Sequence, residues 1–184
     1  MAQVLLISRD DVVKFTTMNG NVDTDKFIQY IAIAQDIHLM NYLGSDLLET
    51  LQTMIEENDL ANQYELLVNK YCKPILIHYA MVEYLPFSAI TISNKGVYKH
   101  TAENSEVVNK TEIEFLIQKE KSIADNYVKR MIKYLHDNNT LFPEYDWNSD
   151  NEVNPSNQLN IGGWYLQNGS NAKRIDNDCK GWYL

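Results

Sequence analysis

The residues best suited to metal ligation, nucleophilic attack or acid–base work are four histidines, His38, His78, His100 and His136, and two cysteines, Cys72 and Cys179. Their spacing argues against each of these chemistries. There is no His-x-x-x-His pair and no Glu-x-x-His step, so zinc and di-iron sites lack their usual ligand spacing. His38 and His78 fall inside apolar helical patterns, which points to satisfied core or interface histidines. Nor is there a Gly-x-x-x-x-Gly-Lys loop, a Gly-x-Gly-x-x-Gly turn or a Gly-x-Ser-x-Gly elbow. Cys72, in an apolar pattern, and Cys179, in a polar one, read as two free thiols of a reducing compartment.

Two acidic stretches come nearest to a metal loop. "DWNSDN" puts Asp146, Asn148 and Asp150 at the first, third and fifth positions of a calcium loop. Its sixth residue is Asn151, where the turn needs glycine, and its twelfth is Asn157 rather than Glu. "DNDCKG" offers Asp176, Asp178 and Gly181 but sets Lys180 at a ligand position. The expectation is no catalytic residue, no cofactor and no bound metal.

Aromatic residues give the stronger signal. The chain has 12 tyrosines and 3 tryptophans, and Gly-Trp-Tyr-Leu occurs twice, at 163–166 and at 181–184. Both copies lie in a stretch of Asn, Asp, Gly and Ser that has no apolar period and so no core of its own. Exposed clusters of this kind invite aggregation. Tyr and Trp, with large rigid faces and a polar tip, suit protein interfaces. Trp164, Tyr165, Leu166, Trp182, Tyr183 and Leu184 are therefore the candidate protein-interface residues, with docking outside the chain's own body favoured. Tyr64, Tyr71, Tyr79 and Tyr127 read instead as residues at the edge of the core.

The elements that must carry these residues are mostly helical. In 184 residues, 45% hydrophobic, one domain with an appendage is expected. A net charge of −9 disfavours a grip on nucleic acid but suits a surface past which DNA slides. "FIQYIAIAQDIHLMNYL" is interrupted by polar residues and does not read as a membrane span, and the apolar run near the start is too short for a signal peptide. A short helix follows Ser8. A second, capped by Asp23 or Asp25, runs to about Leu43 with Phe27, Ile31, Ala34 and Ile37 or His38 on one face. Ile28, Ile33 and Met40 widen that face, implying burial on more than one side. Gly44 ends the helix, and a third begins with Ser45 or Asp46 as cap, burying Leu47, Leu48 and Leu51. From Leu60 to Leu85 a helical pattern contains Pro74, which predicts a kink or break near Lys73 with Pro74 in the first turn of a second piece. Residues 88–101 alternate like a small β-hairpin turning at Asn94–Gly96. A long helix over 111–138 has a capping box at Thr111 and Glu114. The fold class is mainly α: a compact helical bundle with one long helix, a small hairpin and an extended C-terminal arm. The body spans 1–142 and the arm 143–184.

The order of these elements, the "Asp…Phe-Ile…Ile…Ala-Gln" helix leading to "Tyr-Leu-Gly", and "LFPEYDW" after the long helix resemble the head–tail connector (adaptor, head-completion) proteins of tailed bacteriophages. The nearest likeness is to those of crAss-like and related Bacteroidetes phages, over roughly 8–146. The resemblance implies a non-enzymatic virion protein at the head–tail junction, assembled in the host cytoplasm. It implies a ring of copies, 12 by the family pattern, docked under the portal protein and joined to tail or further ring proteins. DNA would pass through the lumen without specific binding, and no membrane is involved. The alternative is a non-viral helical scaffold or binding module whose aromatic arm captures a protein partner.

Overall fold

Helix α1 (Arg9–Phe15) starts at the first good cap in the chain. Ser8 accepts from the Asp11 amide and Asp11 accepts from the Ser8 amide, a reciprocal box that satisfies two end donors. The computed structural model describes residues 4–18, 24–88, 90–93, 96–99, 109–146 and 152–156. In chain order the remaining helices are α2 (Thr24–Ile33), α3 (Met40–Leu43), α4 (Ser45–Glu56), α5 (Asn62–Leu67), α6 (Lys73–Tyr84) and α7 (Lys110–Asp137). A π-helical turn, Ala34–Leu39, joins α2 to α3, and a second, Val68–Cys72, joins α5 to α6. The backbone stays right-handed helical through both junctions, so each joined set forms one rod. Strands β1 (Ile90–Ser93) and β2 (Gly96–Lys99) pair antiparallel with Ile90 opposite Lys99 and Ser93 opposite Gly96.

α6 is the hub. Ile75, Leu76, Ile77, Tyr79, Ala80 and Met81 are all buried, and consecutive buried positions mean that the helix is covered on more than one side. It packs against α7, against α2 and the first π turn, and against α1. α2 supplies Phe27 and Ile31, the first π turn supplies Ala34, α4 supplies Leu47, Leu48 and Leu51, and α7 supplies Ala124, Val128, Met131 and Leu135 at helical spacing. α4 ends in a Schellman pair. Asn58, at φ +56°, takes the left-handed position while Asp59 N donates to Met54 O and Asn58 N to Ile55 O.

Four expectations need correction. Ile28, Ile33 and Ile37 point outward, so the α2 rod is not buried on more than one side. The π turn shifts the inward face, and His38 rather than Ile37 turns toward α6. α4 is capped by Gly44 and not by a Ser45 or Asp46 side chain; Ser45 is its first helical residue. Pro74 stands where expected, in the first turn of α6, and the π turn interrupts the α-helix just before it. The i→i+5 spacing of the π turn just before it relieves the clash and the lost donor that a proline brings to an α-helix. The long helix is capped one turn-step earlier than expected, by an Asn109–Glu112 box. Finally, the packed body runs past 142: Phe142 and Tyr145 are core residues, and 152–156 lies against the α3–α4 corner. The side chains expected to cap α2, and the arm beyond 156, lie outside the described residues.

Candidate functional site

The expected interface residues Trp164, Tyr165, Leu166, Trp182, Tyr183 and Leu184 all lie outside the described residues, as does His100. Within them, chemistry gathers in three places.

The first is a polar seam through the helical core. Tyr79 OH donates to Asp125 Oδ1 at 2.8 Å, and Tyr42 OH lies 3.4 Å from Tyr79 OH. Since Tyr79 uses its one proton on Asp125, Tyr42 is the donor to Tyr79. His38 stacks flat on Tyr79, with ring centroids 4.0 Å apart, and its Nε2 is 2.8 Å from Glu83 Oε1. Next to Tyr79 on α6, His78 Nδ1 is 2.6 Å from Glu120 Oε2 on α7. Each histidine is thus held by a carboxylate, and together they pin α6 to the first π turn and to α7. Burial, then the bonds from Tyr42 and to Asp125, push the Tyr79 hydroxyl well above the ordinary tyrosine range. Burial alone does the same for the Cys72 thiol, which is free and unreactive in this state.

The second is a cleft of about 450 Å³ between α1, α6 and α7, lined by Asp11, Phe15, Asn69, Lys73, His78 and Tyr127 among others. Burial would raise the Asp11 pKa, but its two bonds with Ser8 and the charges of Lys73 and Lys14 outweigh it and hold the carboxyl below its usual value. Tyr127 stacks on His78 at 6.0 Å, and the Arg130 guanidinium sits 5.4 Å above the Tyr127 ring. This arrangement offers cations, a carboxylate and aromatic walls, groups that bind a partner or ligand.

The third is the corner where α3 turns into α4. Ser45 N donates to Val153 O at 2.9 Å, and Ser156 N donates to Asn41 O at 2.8 Å. Ser45 Oγ accepts from Val153 N at 3.3 Å. Pro155 is buried on Gly44, whose φ of +80° and ψ of 163° only glycine adopts readily. A Cβ on Gly44 would stand 2.9 Å from Pro155 Cδ. This strap roots the C-terminal arm on the body. Sequence reasoning missed it because it is held by backbone groups and by one proline.

Gln35, inside the first π turn, ties down the other end of the chain. Its Oε1 accepts from Leu6 N at 3.0 Å and its Nε2 donates to Val4 O at 2.9 Å, while Gln52 Nε2 also donates to Val4 O at 2.9 Å. Among the described residues no group of three or more His, Cys, Asp or Glu is placed to hold a metal ion. Of the calcium-like stretches only Asp146 and Glu152–Ser156 are described, and Asp146 is exposed. Among the described residues, no helix is long and apolar enough to cross a membrane.

No curated protein and no solved structure compared with the chain matches it. A family model does, over residues 39–155. The match takes in both sides of the corner, Asn41 to Ser45 and Val153 to Pro155, and so all of the strap but Ser156. It covers well over half of the sequence, and the chain belongs to that family, the family of unknown function DUF6712.

Proposed function

We propose that this protein is a structural component of a phage virion: a ring-forming head–tail adaptor that docks under the portal, extends the DNA channel and joins capsid to tail. The observation that carries the reading is the resemblance over 8–146 in the order of elements and in "Tyr-Leu-Gly" and "Phe-Pro-Glu-Tyr". The body adds support of a general kind. It is mainly helical, its arm leaves from a strapped corner, and it keeps large apolar residues outward, among them Phe115 and Leu116 on the first turns of α7. Ring subunits need faces for neighbours on both sides. A net charge of −9 suits a conduit that DNA must traverse without sticking.

In this reading the arm carries two aromatic anchors, Trp164–Leu166 and Trp182–Leu184, to neighbouring chains, and linked anchors gain from effective concentration. No catalytic centre and no metal enter the proposal. Imaging of the virion tests it. A ring of this protein beneath the portal is the expected result, and a location on the capsid surface would end the proposal. Deleting 160–184 tests the arm: the isolated body should keep its helical content while particle assembly fails.

The cleft between α1, α6 and α7 favours a second reading, a non-viral binding module. Genes for portal and capsid proteins beside this one would speak for the adaptor. Saturable binding of a small ligand lost in Lys73→Ala and His78→Ala would speak for the module.

A further inference from the structure

The outer face of α7 is cationic in an otherwise acidic chain. Lys119, Lys129, Arg130 and Lys133 are exposed, on the side of the helix away from the buried Ala124, Val128, Met131 and Leu135. Between residues 118 and 133 the helix has two acids, Glu120 and Asp125, and both are engaged inward, by His78 and by Tyr79, leaving the outer face to the cations. Lys133 also holds Asp137, one turn on. Acids gather on a different part of the body. A groove of about 360 Å³ runs between the α2–α3 rod and α4, with Val4, Met40 and Leu48 as its apolar lining and the exposed Asp36, Glu49 and Glu56 at its rims. Among the described residues, no Lys or Arg lines it. His38 faces α6, so Asp36, two residues before it and about half a turn away, stands on the opposite side of the rod. Both charged faces thus look away from the core, and they can meet only between copies.

We infer that this groove receives the cationic face of α7 from a second copy of the chain, in a head-to-tail contact. Charge complementarity carries the inference. Copies with a net charge of −9 repel one another, so a lasting contact between them needs a place where opposite signs meet. Lys and Arg suit the groove in both of its parts, with aliphatic stems on the apolar lining and charged tips at the carboxylates. A metal ion does not suit it, since among the described residues no three acids are placed to share one. Duplex DNA on α7 would account for the cations but would leave the acidic groove without a role. Each copy has both faces, so a contact uses one from each and leaves the other free. That is the heterologous type, which closes into a ring when the rotation fits. The place of this contact in a ring rests on the adaptor reading. The contact itself does not: it is measured on the purified protein, and it holds or fails apart from where the protein sits in a virion.

The test exchanges charges in the full chain. One variant combines Lys129→Glu with Arg130→Glu, a second combines Glu49→Lys with Glu56→Lys, and a third carries all four changes. All four positions are exposed, and circular dichroism checks that helix content is kept. Sedimentation equilibrium over a range of protein concentrations reads the mass, at low salt and at about 1 M salt, where the screening length is about 3 Å. The unaltered chain should gain mass with concentration at low salt and lose that gain at high salt, a result that needs no variant. Either pair of changes alone should weaken association at least about tenfold, because like charges then face each other. An equimolar mixture of the two pair variants, and the chain with all four changes, should associate again. An unaltered chain that stays monomeric or ignores salt, pair variants that associate as it does, or four changes no better than two would overturn the inference. So would a Lys129→Glu, Arg130→Glu chain that keeps its self-association but loses binding to duplex DNA, since the α7 face would then serve nucleic acid.

Discussion

Replacing Gly44 with alanine should unlatch the strap, and the structure sets the size of the effect. At φ +80° and ψ 163° the residue occupies a region that is essentially glycine's alone, so any side chain there costs about 1–3 kcal/mol. The new Cβ would also stand 2.9 Å from Pro155 Cδ and 3.2 Å from Val153 O. The rod cannot yield without disturbing Tyr42 and Leu43 in the core, so the strap must move. Its movement weakens the Ser45–Val153 and Asn41–Ser156 backbone bonds, each with a net value of about 0.5–1.5 kcal/mol. The full-length variant should lose about 2–5 kcal/mol. In a chain ending at residue 151 only the backbone strain remains, about 1–3 kcal/mol. The difference between the two backgrounds, about 1–2 kcal/mol, is the coupling between glycine and strap. Urea unfolding followed by far-ultraviolet circular dichroism in both backgrounds measures it. Equal losses with and without the strap would show that Pro155 does not sit on Gly44, and the reasoning would fail.

Tyr79→Phe removes the hydroxyl that joins Tyr42 to the Asp125 carboxylate and should cost about 1.5–3 kcal/mol, with helix content unchanged. Thermal melts of Tyr79→Phe, Asp125→Ala and the double variant check this; strictly additive losses would break up the proposed seam. Alkaline pH should destabilise the fold within a definite window. Burial and the Glu144 bond push Tyr64 up to about 12, and burial pushes Tyr145 up to about 12, from an ordinary 10.0. A raised folded-state value means that the stabilising contribution is intact below pH 10.0 and is lost as pH climbs toward about 12. Melting temperature against pH, alongside the ultraviolet titration of tyrosinate, should show the fall there, and Tyr64→Phe should lessen it.

Much of the helical body is legible in the residues themselves. Ser8 with Asp11, the Leu47–Leu48–Leu51 face and the period of α7 announce their elements, because caps and apolar spacing are local signals. The π turns are not legible. Their residues are as apolar as an α-helix would require, and a shift from i→i+4 to i→i+5 bonding leaves no composition of its own. Their mark lies in consequences: Gln35 buried against Leu6, and Ile37 outside where the period places it inside. Pro74 was readable as the opening turn of a second piece, because a proline suits that position, though the π turn that makes the break was not. The capping Asn109 was overlooked because Thr111 and Glu114 offer the same spacing two residues later. The strap was invisible because "EVNPS" has no period and buries one side chain, Pro155. Of the candidate sites, the arm's aromatics were chosen by contrast with their polar surroundings. The cleft and the tyrosine seam were not seen, since they join residues from three helices that no spacing rule connects.

The closure of the α3–α4 corner also has a timetable. Ser45 and Val153 are 108 residues apart. At a synthesis rate of about 5–20 residues per second, the corner is made about 5–20 s before the strap that completes it. During that interval the first amide of α4 and the bare surface of Gly44 stand open on a chain still attached to its ribosome. Strands from neighbouring nascent chains on the same message, each bearing the same "EVNPS", compete for that opening. The short link between Asp146 and Glu152 gives each chain's own strap the advantage of proximity. Shortening that link until it no longer reaches would hand the corner to a neighbour and turn a self-closing subunit into an exchanged pair.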